Sequence, residues 1–328
     1  MNYRVRHSAP FVGEEEIAAV TRVLRSGRLA QGAEVESFEQ ECAAFVGRRY
    51  AVAVSSGTAA LHLAVEILCP GGRVALPSYG CASLINAVRL AHAEPVLCDI
   101  GPDFNIDAKT IPAQRNAVIV PHLFGARAEL PGGQCVIEDI AQSIGGPTGR
   151  DGVVTIVSFY ATKLITTGEG GMLLTDDESI ARAVRDLRDY DNRDEFRIRF
   201  NYKLTELQAA LGREQLKRLP AFIARRREIA LAYNDAFRPL PLVLPSGSNH
   251  IHFRYVVKTP ARDALEAHLN VHGIEAKRPV YKPAHHYVSA HCPASERAHA
   301  EALSIPVHLG MTDDDVRFVI EAVTAHFR

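Results

Sequence analysis

Lys163 has the surroundings best suited to covalent chemistry in this chain. It lies between two hydrophobic runs with strand character, 153–160 and Gly171–Thr175, and a Gly-Glu-Gly-Gly segment follows it from residue 168. Because a lysine on a short glycine-rich turn between buried strands is held away from bulk water, desolvation disfavours its charged ammonium form. Schiff-base formation with an aldehyde requires such a neutral amine. From this stretch alone, a solvated loop lysine is the alternative interpretation.

Asp139 is the second candidate group, and it follows the apolar run 134–138 in the segment VIEDIAQSIGG. A carboxylate at the end of a buried strand must be paired or hydrogen-bonded, because an isolated buried charge is very costly. Where a lysine binds an aldehyde, the natural partner of such a carboxylate is the protonated nitrogen of a pyridine ring. The residues leave open the alternative of a structural carboxylate bound by backbone amides.

A turn of small residues connects a predicted strand, 51–54, to a predicted helix, 58–68. Such a turn presents free backbone N–H groups and the positive end of a helix dipole, which together suit a phosphate. Gly57 places no side chain in the way, while Ser56 and Thr58 offer hydroxyl groups. A plain helix N-cap by one of these hydroxyls is the alternative.

The alternation of strand and helix patterns predicts an α/β fold. The continuous apolar runs are 73–76, 95–100, 117–120, 134–138 and 153–160. Runs without polar alternation are buried on both faces, which indicates a mostly parallel sheet flanked by helices. Ligands of such sheets bind at the carboxyl ends of the strands, where His122, Asp139, Gln142 and Lys163 fall.

The chain is expected to divide into two domains. A periodic helix is predicted at 204–219, and Pro220 is expected to begin another that continues to residue 237. Three prolines within 238–245 then break the pattern. We therefore expect a large domain, 1–237, and a smaller C-terminal α+β domain, 238–328. Near the N-terminus, acidic residues open a predicted helix with Ile17, Val20 and Leu24 on its apolar face.

Composition argues against several classes of protein. A formal net charge of −1 gives no electrostatic case for nucleic acid or an anionic membrane. No apolar stretch could span a bilayer, and the N-terminus lacks the apolar core of a signal peptide, so a cytoplasmic location is expected. The six cysteines include no CxxC pair and are expected to be reduced. His285 and His286 lack a third ligand at metal-binding spacing, so no metal site is predicted.

Seven segments, in order along the chain, carry a resemblance to a known family. They are VLRSGRLAQGAEVESFEQECAAFVG, AVAVSSGTAALHLAV, LPSYGCASLINAV, VIEDIAQSIGG, SFYATKLITTGEGGMLLTDD, FNYKLTELQAA and LSIPVHLGMTDDDV. Together they resemble the DegT/StrS family of pyridoxal-phosphate sugar aminotransferases. The resemblance implies the type I fold of pyridoxal-phosphate-dependent transferases and a homodimer with shared active sites.

The resemblance also implies roles for particular residues around pyridoxal 5′-phosphate. Lys163 would form the Schiff base with the cofactor aldehyde, Asp139 would keep the pyridine nitrogen protonated, and Gln142 would lie against the cofactor ring or its hydroxyl. Gly57 and Thr58 would bind the phosphate.

Four further positions take their expected roles from the resemblance. Ser158 would contribute to the phosphate site, and Asn201 would reach it from the partner chain. Cys81 stands where the family usually has an aromatic residue stacked on the cofactor ring, and its sulfur can still lie on the ring face. His285 falls where the family often has a histidine near the substrate.

The implied reaction moves an amino group from an amino acid, by resemblance glutamate, to a keto-sugar that is nucleotide-linked in the family. The ring acts as the electron sink, and the displaced lysine shuttles a proton. Two alternatives stay open: an elimination or dehydration on the same fold, and a non-catalytic regulatory relative. Family dehydratases have histidine in place of the lysine, so Lys163 argues against that branch.

Overall fold

The structure is a computed structural model that describes residues 3–132, 135–247 and 249–328. Gln134, the first residue of one predicted run, lies outside the described residues. The strands are β1 (Tyr50–Val54), β2 (Arg73–Pro77), β3 (Glu94–Cys98), β4 (Ala117–Pro121), β5 (Cys135–Asp139), β6 (Val154–Ser158), β7 (Gly171–Thr175), β8 (Tyr255–Lys258) and β9 (Ala302–Ile305). The helices are α1 (Glu14–Ser26), α2 (Ala33–Val46), α3 (Gly57–Leu68), α4 (Ser83–Leu90), α5 (Glu178–Leu187), α6 (Glu206–Phe237), α7 (Arg262–Val271), α8 (Pro293–Glu301) and α9 (Asp313–His326).

Within the described ranges, seven strands form the large sheet in the order β1-β7-β6-β5-β4-β2-β3. The five strands β2, β3, β4, β5 and β6 run parallel to one another. Strand β7 is antiparallel to both of its neighbours, β1 and β6. The predicted mostly parallel α/β sheet is therefore confirmed. Parallel strands are joined by crossover connections, which place helices on both faces of the sheet. Because both faces of each strand are buried, the strand sequences are unbroken apolar runs.

Strand β1 shows how the two faces are covered. Val52 and Val54 point into a core that includes the apolar sides of α3, α4 and α5. Ala51 and Ala53 point the opposite way, into a core shared with α2 and α6. Successive side chains of a strand alternate between faces, so a five-residue strand contributes to both cores.

Helix α6 corrects one expectation, because it is a single helix of 32 residues with Pro220 inside it. Proline removes one backbone hydrogen bond and crowds the preceding turn, so two separate helices were predicted. Leu219 and Phe222, on either side of the proline, are both buried in the same core. Tertiary packing on both sides of Pro220 therefore holds the helix together across it.

Helix α1 corrects a second expectation in part. Of its predicted apolar face, Ile17 and Leu24 are 51% and 55% exposed and Val20 is half-buried, whereas Glu16 is fully buried. The Glu16 carboxylate accepts hydrogen bonds from the N–H of Gly13 at 2.7 Å and from Arg218 at 2.9 Å. These charge-assisted bonds offset the cost of burying the carboxylate and set the rotation of the helix.

The C-terminal part contains a second sheet, in which β8 and β9 pair antiparallel. Helices α7 and α9 share its core with Tyr233 and Phe237 of α6. The predicted division between residues 237 and 238 coincides with the end of α6, and the division into two domains stays a prediction. In the part of the chain that the structure describes, no helix is both long and apolar enough to cross a membrane.

Candidate active site

A cavity of about 220 Å³ opens at the carboxyl ends of β4, β5 and β6. Seven of the sequence-predicted site residues line it: Gly57, Thr58, Cys81, Asp139, Gln142, Ser158 and Lys163. His122, Tyr160 and Glu169 line it as well. Residues far apart in the chain meet here because the sheet order places the ends of their strands side by side.

Lys163 reaches the cavity from the loop after β6. Its backbone N–H donates to the carbonyl of Tyr160 at 2.9 Å, and its Nζ lies 5.5 Å from the centre of the Phe253 ring. Burial lowers the pKa of this amine, and the positive charge of Arg254 acts in the same direction, while Asp139 raises it in part. A larger fraction of Lys163 is therefore neutral near physiological pH than of an exposed lysine.

Asp139 is the last residue of β5 and lines the same cavity. Its Oδ1 accepts the N–H of Ala141 at 2.9 Å, which fixes the orientation of the carboxyl group. Among the described residues, no protein group donates to Oδ2. Burial raises the pKa of Asp139, and the bond from Ala141 and the charge of Lys163 partly oppose this rise. The site is therefore suited to a cationic partner at Asp139, which would stabilise the ionised form.

A buried hydrogen bond between His122 and Glu138, beside Asp139, fixes the neighbouring strand end. His122 Nε2 lies 2.9 Å from Glu138 Oε1, and His122 Nδ1 accepts the N–H of Ala128 at 2.9 Å. Burial alone would raise the pKa of Glu138, but the hydrogen bonds from His122 and from the N–H groups of Gly149 and Gly152 lower it to about 2. Both ring nitrogens of His122 are engaged, so this residue positions the cavity wall and has no free nitrogen for proton transfer.

The start of α3 forms a cradle with Ser158. Ser56 is the N-cap, and its Oγ accepts the N–H of Ala59 at 3.0 Å. The first-turn N–H groups of Gly57 and Thr58 therefore have no intrahelical acceptor. A Cβ atom on Gly57 would lie only 2.8 Å from the Cβ of Ser158. This close approach brings two amides and the hydroxyls of Thr58 and Ser158 to one wall of the cavity, which is a donor set that fits a phosphate.

Gln142 and Cys81 occupy other parts of the wall. Gln142 Oε1 accepts the N–H of Phe124 at 2.8 Å, which leaves its amide nitrogen as a donor. Cys81 lies in the loop between β2 and α4, is exposed, and carries a free thiol. Both positions are compatible with contact to a planar ring in the cavity.

Two sequence-predicted residues lie elsewhere. Among the described residues that line the cavity, neither Asn201 nor His285 appears. Asn201 is exposed at the end of the charged run 191–203, which contains no helix or strand. His285 lies in the 3₁₀ helix Ala284–His286, where its Nε2 is 2.8 Å from Glu296 Oε2. Glu296 was not a sequence-predicted site residue, because no local pattern links it to His285 and His286, eleven and ten residues before it.

The mostly parallel sheet, with a site at the carboxyl ends of its strands, is consistent with the type I fold of pyridoxal-phosphate-dependent transferases, which solved aminotransferase structures share with it. The model of the DegT/DnrJ/EryC1/StrS aminotransferase family matches residues 10–324, and the chain belongs to this family. The resemblance drawn from the seven segments is thereby confirmed, and the protein is an aminotransferase.

Three relatives illustrate the similarity. The chain is 35% identical to the spore coat polysaccharide biosynthesis protein SpsC of Bacillus subtilis (strain 168), over 98% of this chain and 97% of SpsC. It is 33% identical to GDP-perosamine synthase of Caulobacter vibrioides, over 89% of this chain and 90% of that protein. The crystal structure of S. venezuelae DesV in complex with a ketimine intermediate superposes with a TM-score of 0.90 at 31% identity, over 96% and 95% of the two chains.

Proposed function

We propose that the protein binds pyridoxal 5′-phosphate in this cavity and moves an amino group from an amino acid, glutamate by resemblance, to a keto-sugar. The observation that carries the proposal is the convergence of Lys163, Asp139 and the Gly57 cradle on one cavity. When bound, the cofactor supplies an aldehyde that takes up amines and a pyridinium ring that accepts electron density.

Each residue has a distinct proposed task. Gly57, Thr58 and Ser158 bind the phosphate through backbone N–H and hydroxyl groups. Asp139 holds positive charge at the ring nitrogen, because its ionised carboxylate is stabilised by a cationic neighbour. Lys163, as a neutral amine, would take a proton from the substrate carbon that bears the nitrogen and would deliver it to C4′, the aldehyde-derived carbon of the cofactor.

A keto-sugar as the acceptor is supported by the relatives. GDP-perosamine synthase is named for a nucleotide-linked sugar, and SpsC is named for polysaccharide biosynthesis. A nucleotide-linked keto-sugar is accordingly the first acceptor that we propose. Exposed residues of the cavity wall, Cys81, Tyr160 and Glu169, put the cavity in contact with solvent, from which we propose that the sugar reaches Lys163.

The test of this function separates the two halves of the reaction. Protein loaded with pyridoxal phosphate is mixed with glutamate and no acceptor, and 2-oxoglutarate is measured. We expect about one 2-oxoglutarate per active site. The amino group left on the enzyme-bound cofactor should then be lost when an acceptor from a panel of free and nucleotide-linked keto-sugars is added. Release of ammonia or water without 2-oxoglutarate would instead favour elimination.

The close approach of Gly57 to Ser158 yields a prediction for cofactor binding. We expect Gly57→Ala to weaken pyridoxal-phosphate affinity by at least about tenfold, because the added Cβ displaces Ser158 and narrows the anion cradle. Equilibrium dialysis of the cofactor measures the change. Gly132→Ala is the matched control, since a Cβ at Gly132 meets no atom within 4 Å. Equal affinity in the two variants would mean that the phosphate binds elsewhere.

We also propose a homodimer in which each chain completes the other's site. Phe196 and Ile198, in the charged run, are 97% and 74% exposed, and Ile17 and Leu24 of α1 are also exposed. Apolar side chains exposed to this extent are typical of a surface that a partner covers. By resemblance, Asn201 of this region reaches the cofactor phosphate of the partner chain.

The dimer proposal predicts that Asn201→Ala weakens pyridoxal-phosphate binding several-fold while the protein stays dimeric. The lost amide is one hydrogen-bonding group among several around the phosphate, so the effect is smaller than at Gly57. Asn192→Ala, in the same charged run, is the control and should bind the cofactor normally. Analytical ultracentrifugation gives the oligomeric state, and a monomer with full cofactor occupancy would contradict the proposal.

A further inference from the structure

Two histidines and a glutamate form a cluster that is separate from the cavity lining. The 3₁₀ helix Ala284–His286 and helix α8 place His285 Nε2 and His286 Nε2 each 2.8 Å from the same atom, Glu296 Oε2. The three potential ligand atoms all lie within 4.8 Å of one another. From this convergence, we propose that His285, His286 and Glu296 bind a divalent transition metal of the zinc class.

The donor set selects the kind of metal. Two imidazole nitrogens and one carboxylate oxygen suit Zn²⁺, and three protein ligands leave a fourth tetrahedral position for water. Ca²⁺ and Mg²⁺ prefer sites made entirely of oxygen atoms, so two imidazoles disfavour both. The proposal concerns this cluster alone and does not depend on the proposed amino transfer.

His285 is already oriented for such a role. Its side chain is only 10% exposed, and its Nδ1 lies 2.5 Å from Ser78 Oγ. Ser78 Oγ also accepts the backbone N–H of His285 at 3.3 Å. When Nδ1–H donates to this hydroxyl, Nε2 carries the lone pair that faces Glu296, which is the tautomer that binds a metal.

The other two ligands have room to adjust. Bonds of about 2.1 Å in a tetrahedral site separate neighbouring ligand atoms by roughly 3.4 Å, so each 2.8 Å contact would lengthen by roughly half an ångström. The side chains of Glu296 and His286 are 57% and 32% exposed and can make this shift. The alternative is a cluster with no metal, in which both imidazole N–H groups donate to the carboxylate.

A metal at this cluster would join three segments of the chain. It links the 3₁₀ helix to α8 directly, and through Ser78 it supports the residues that follow β2. Those residues lead to Cys81, which lines the cavity. The metal is therefore proposed as a structural clamp beside the part of the cavity wall that contains Cys81.

The experiment measures zinc bound to the full chain. Protein without a polyhistidine tag, loaded with pyridoxal phosphate and stripped of metal by a chelator, is dialysed against buffered Zn²⁺ and analysed by mass spectrometry of the metal. We expect about one zinc per chain. Glu296→Gln and His286→Ala should bind zinc at least about tenfold more weakly, because each removes one ligand. His291→Ala, an exposed histidine on the same segment, is the matched control and should bind as the wild type does.

A second variant keeps all three ligands. Ser78→Ala removes only the partner of His285 Nδ1 and is expected to lower zinc affinity by about 10–100-fold. Circular dichroism and thermal melting establish that each variant is folded. Zinc binding that is equal in all of these proteins would show adventitious surface binding and overturn the proposal. Absence of zinc from the wild type at micromolar free metal would overturn it equally, whatever the variants do.

Discussion

Replacing Lys163 by alanine is expected to lower the rate of amino transfer by about 10³-fold or more. Lys163 is the one lysine among the described residues that line the cavity, and burial lowers the pKa of its amine. Without it, no lysine amine remains among the described residues of the cavity wall for the proposed proton transfer between the substrate carbon and C4′ of the cofactor. The measurement is 2-oxoglutarate released from glutamate in a single turnover, together with the visible absorbance of the bound cofactor, which should change.

The matched control for this variant is Lys217→Ala. Lys217 is exposed on α6 and is paired with Glu214, so its removal should leave both readouts unchanged. Lys163→Ala should remain folded, because it deletes a buried amine whose desolvation opposes folding. Wild-type turnover by folded, cofactor-loaded Lys163→Ala would rule out the proposed proton transfer by this residue.

Replacing Asp139 by asparagine is expected to lower the amino-transfer rate by about 10²–10³-fold. The amide preserves the shape of the side chain and can keep the bond from the N–H of Ala141, which is 2.9 Å long in the wild type. Only the negative charge is lost, and with it the group that we propose to hold a proton on the ring nitrogen. The rate of 2-oxoglutarate formation measures the loss.

The pH dependence of cofactor binding is an independent test of whether Asp139 must be ionised for the cofactor to bind. Burial raises its pKa in the cofactor-free protein, so the carboxyl group takes up a proton at higher pH than an ordinary aspartate does. The cationic ring binds the ionised form, so cofactor affinity should fall as the pH drops through this raised pKa. The Asp139→Asn variant has no such group, and this part of the pH dependence should disappear.

Asp151→Asn provides the control for charge removal. Asp151 pairs with Arg127, and both side chains are about half exposed. A surface pair of this kind contributes little free energy, so activity and its pH dependence should be unaffected. If Asp139→Asn kept the wild-type rate and pH profile, a structural carboxylate bound by backbone amides would be the better interpretation of Asp139.

Lys163 and Asp139 are also coupled to each other. The charge of Asp139 raises the pKa of Lys163, and the charge of Lys163 lowers the pKa of Asp139. The two variants are therefore not independent, and their effects on rate should not add. A double variant close in rate to Lys163→Ala would indicate that both residues act on the same step.

Much of the fold follows from local patterns in the sequence. The apolar runs predict the strands that carry Asp139 and Ser158, and the small-residue turn predicts the start of α3, because such signals depend on neighbours in the chain. The type of chemistry could also be predicted from short segments, because the residues next to Lys163 and Asp139 in the sequence indicate a lysine on a glycine-rich turn and a carboxylate at a strand end. Seven segments in order were enough to indicate the family.

Tertiary contacts decided the remaining features. The Gly57–Ser158 approach exists because β7 alone separates β1 from β6 in the sheet, although the two strands are far apart in the chain. Glu16 is buried because Arg218 neutralises it, and that contact turned Ile17 outward against the helical periodicity.

Helix α6 and the histidine cluster illustrate the same limit. Pro220 is a local signal for a helix start, yet the packing of Leu219 and Phe222 keeps the helix continuous. Glu296 meets His285 only because α8 folds back onto the preceding segment. Local sequence determines which conformation a segment prefers. Burial and charge pairing between distant segments determine which of these preferences is overridden. The energies of those contacts depend on distances that exist only in the folded chain.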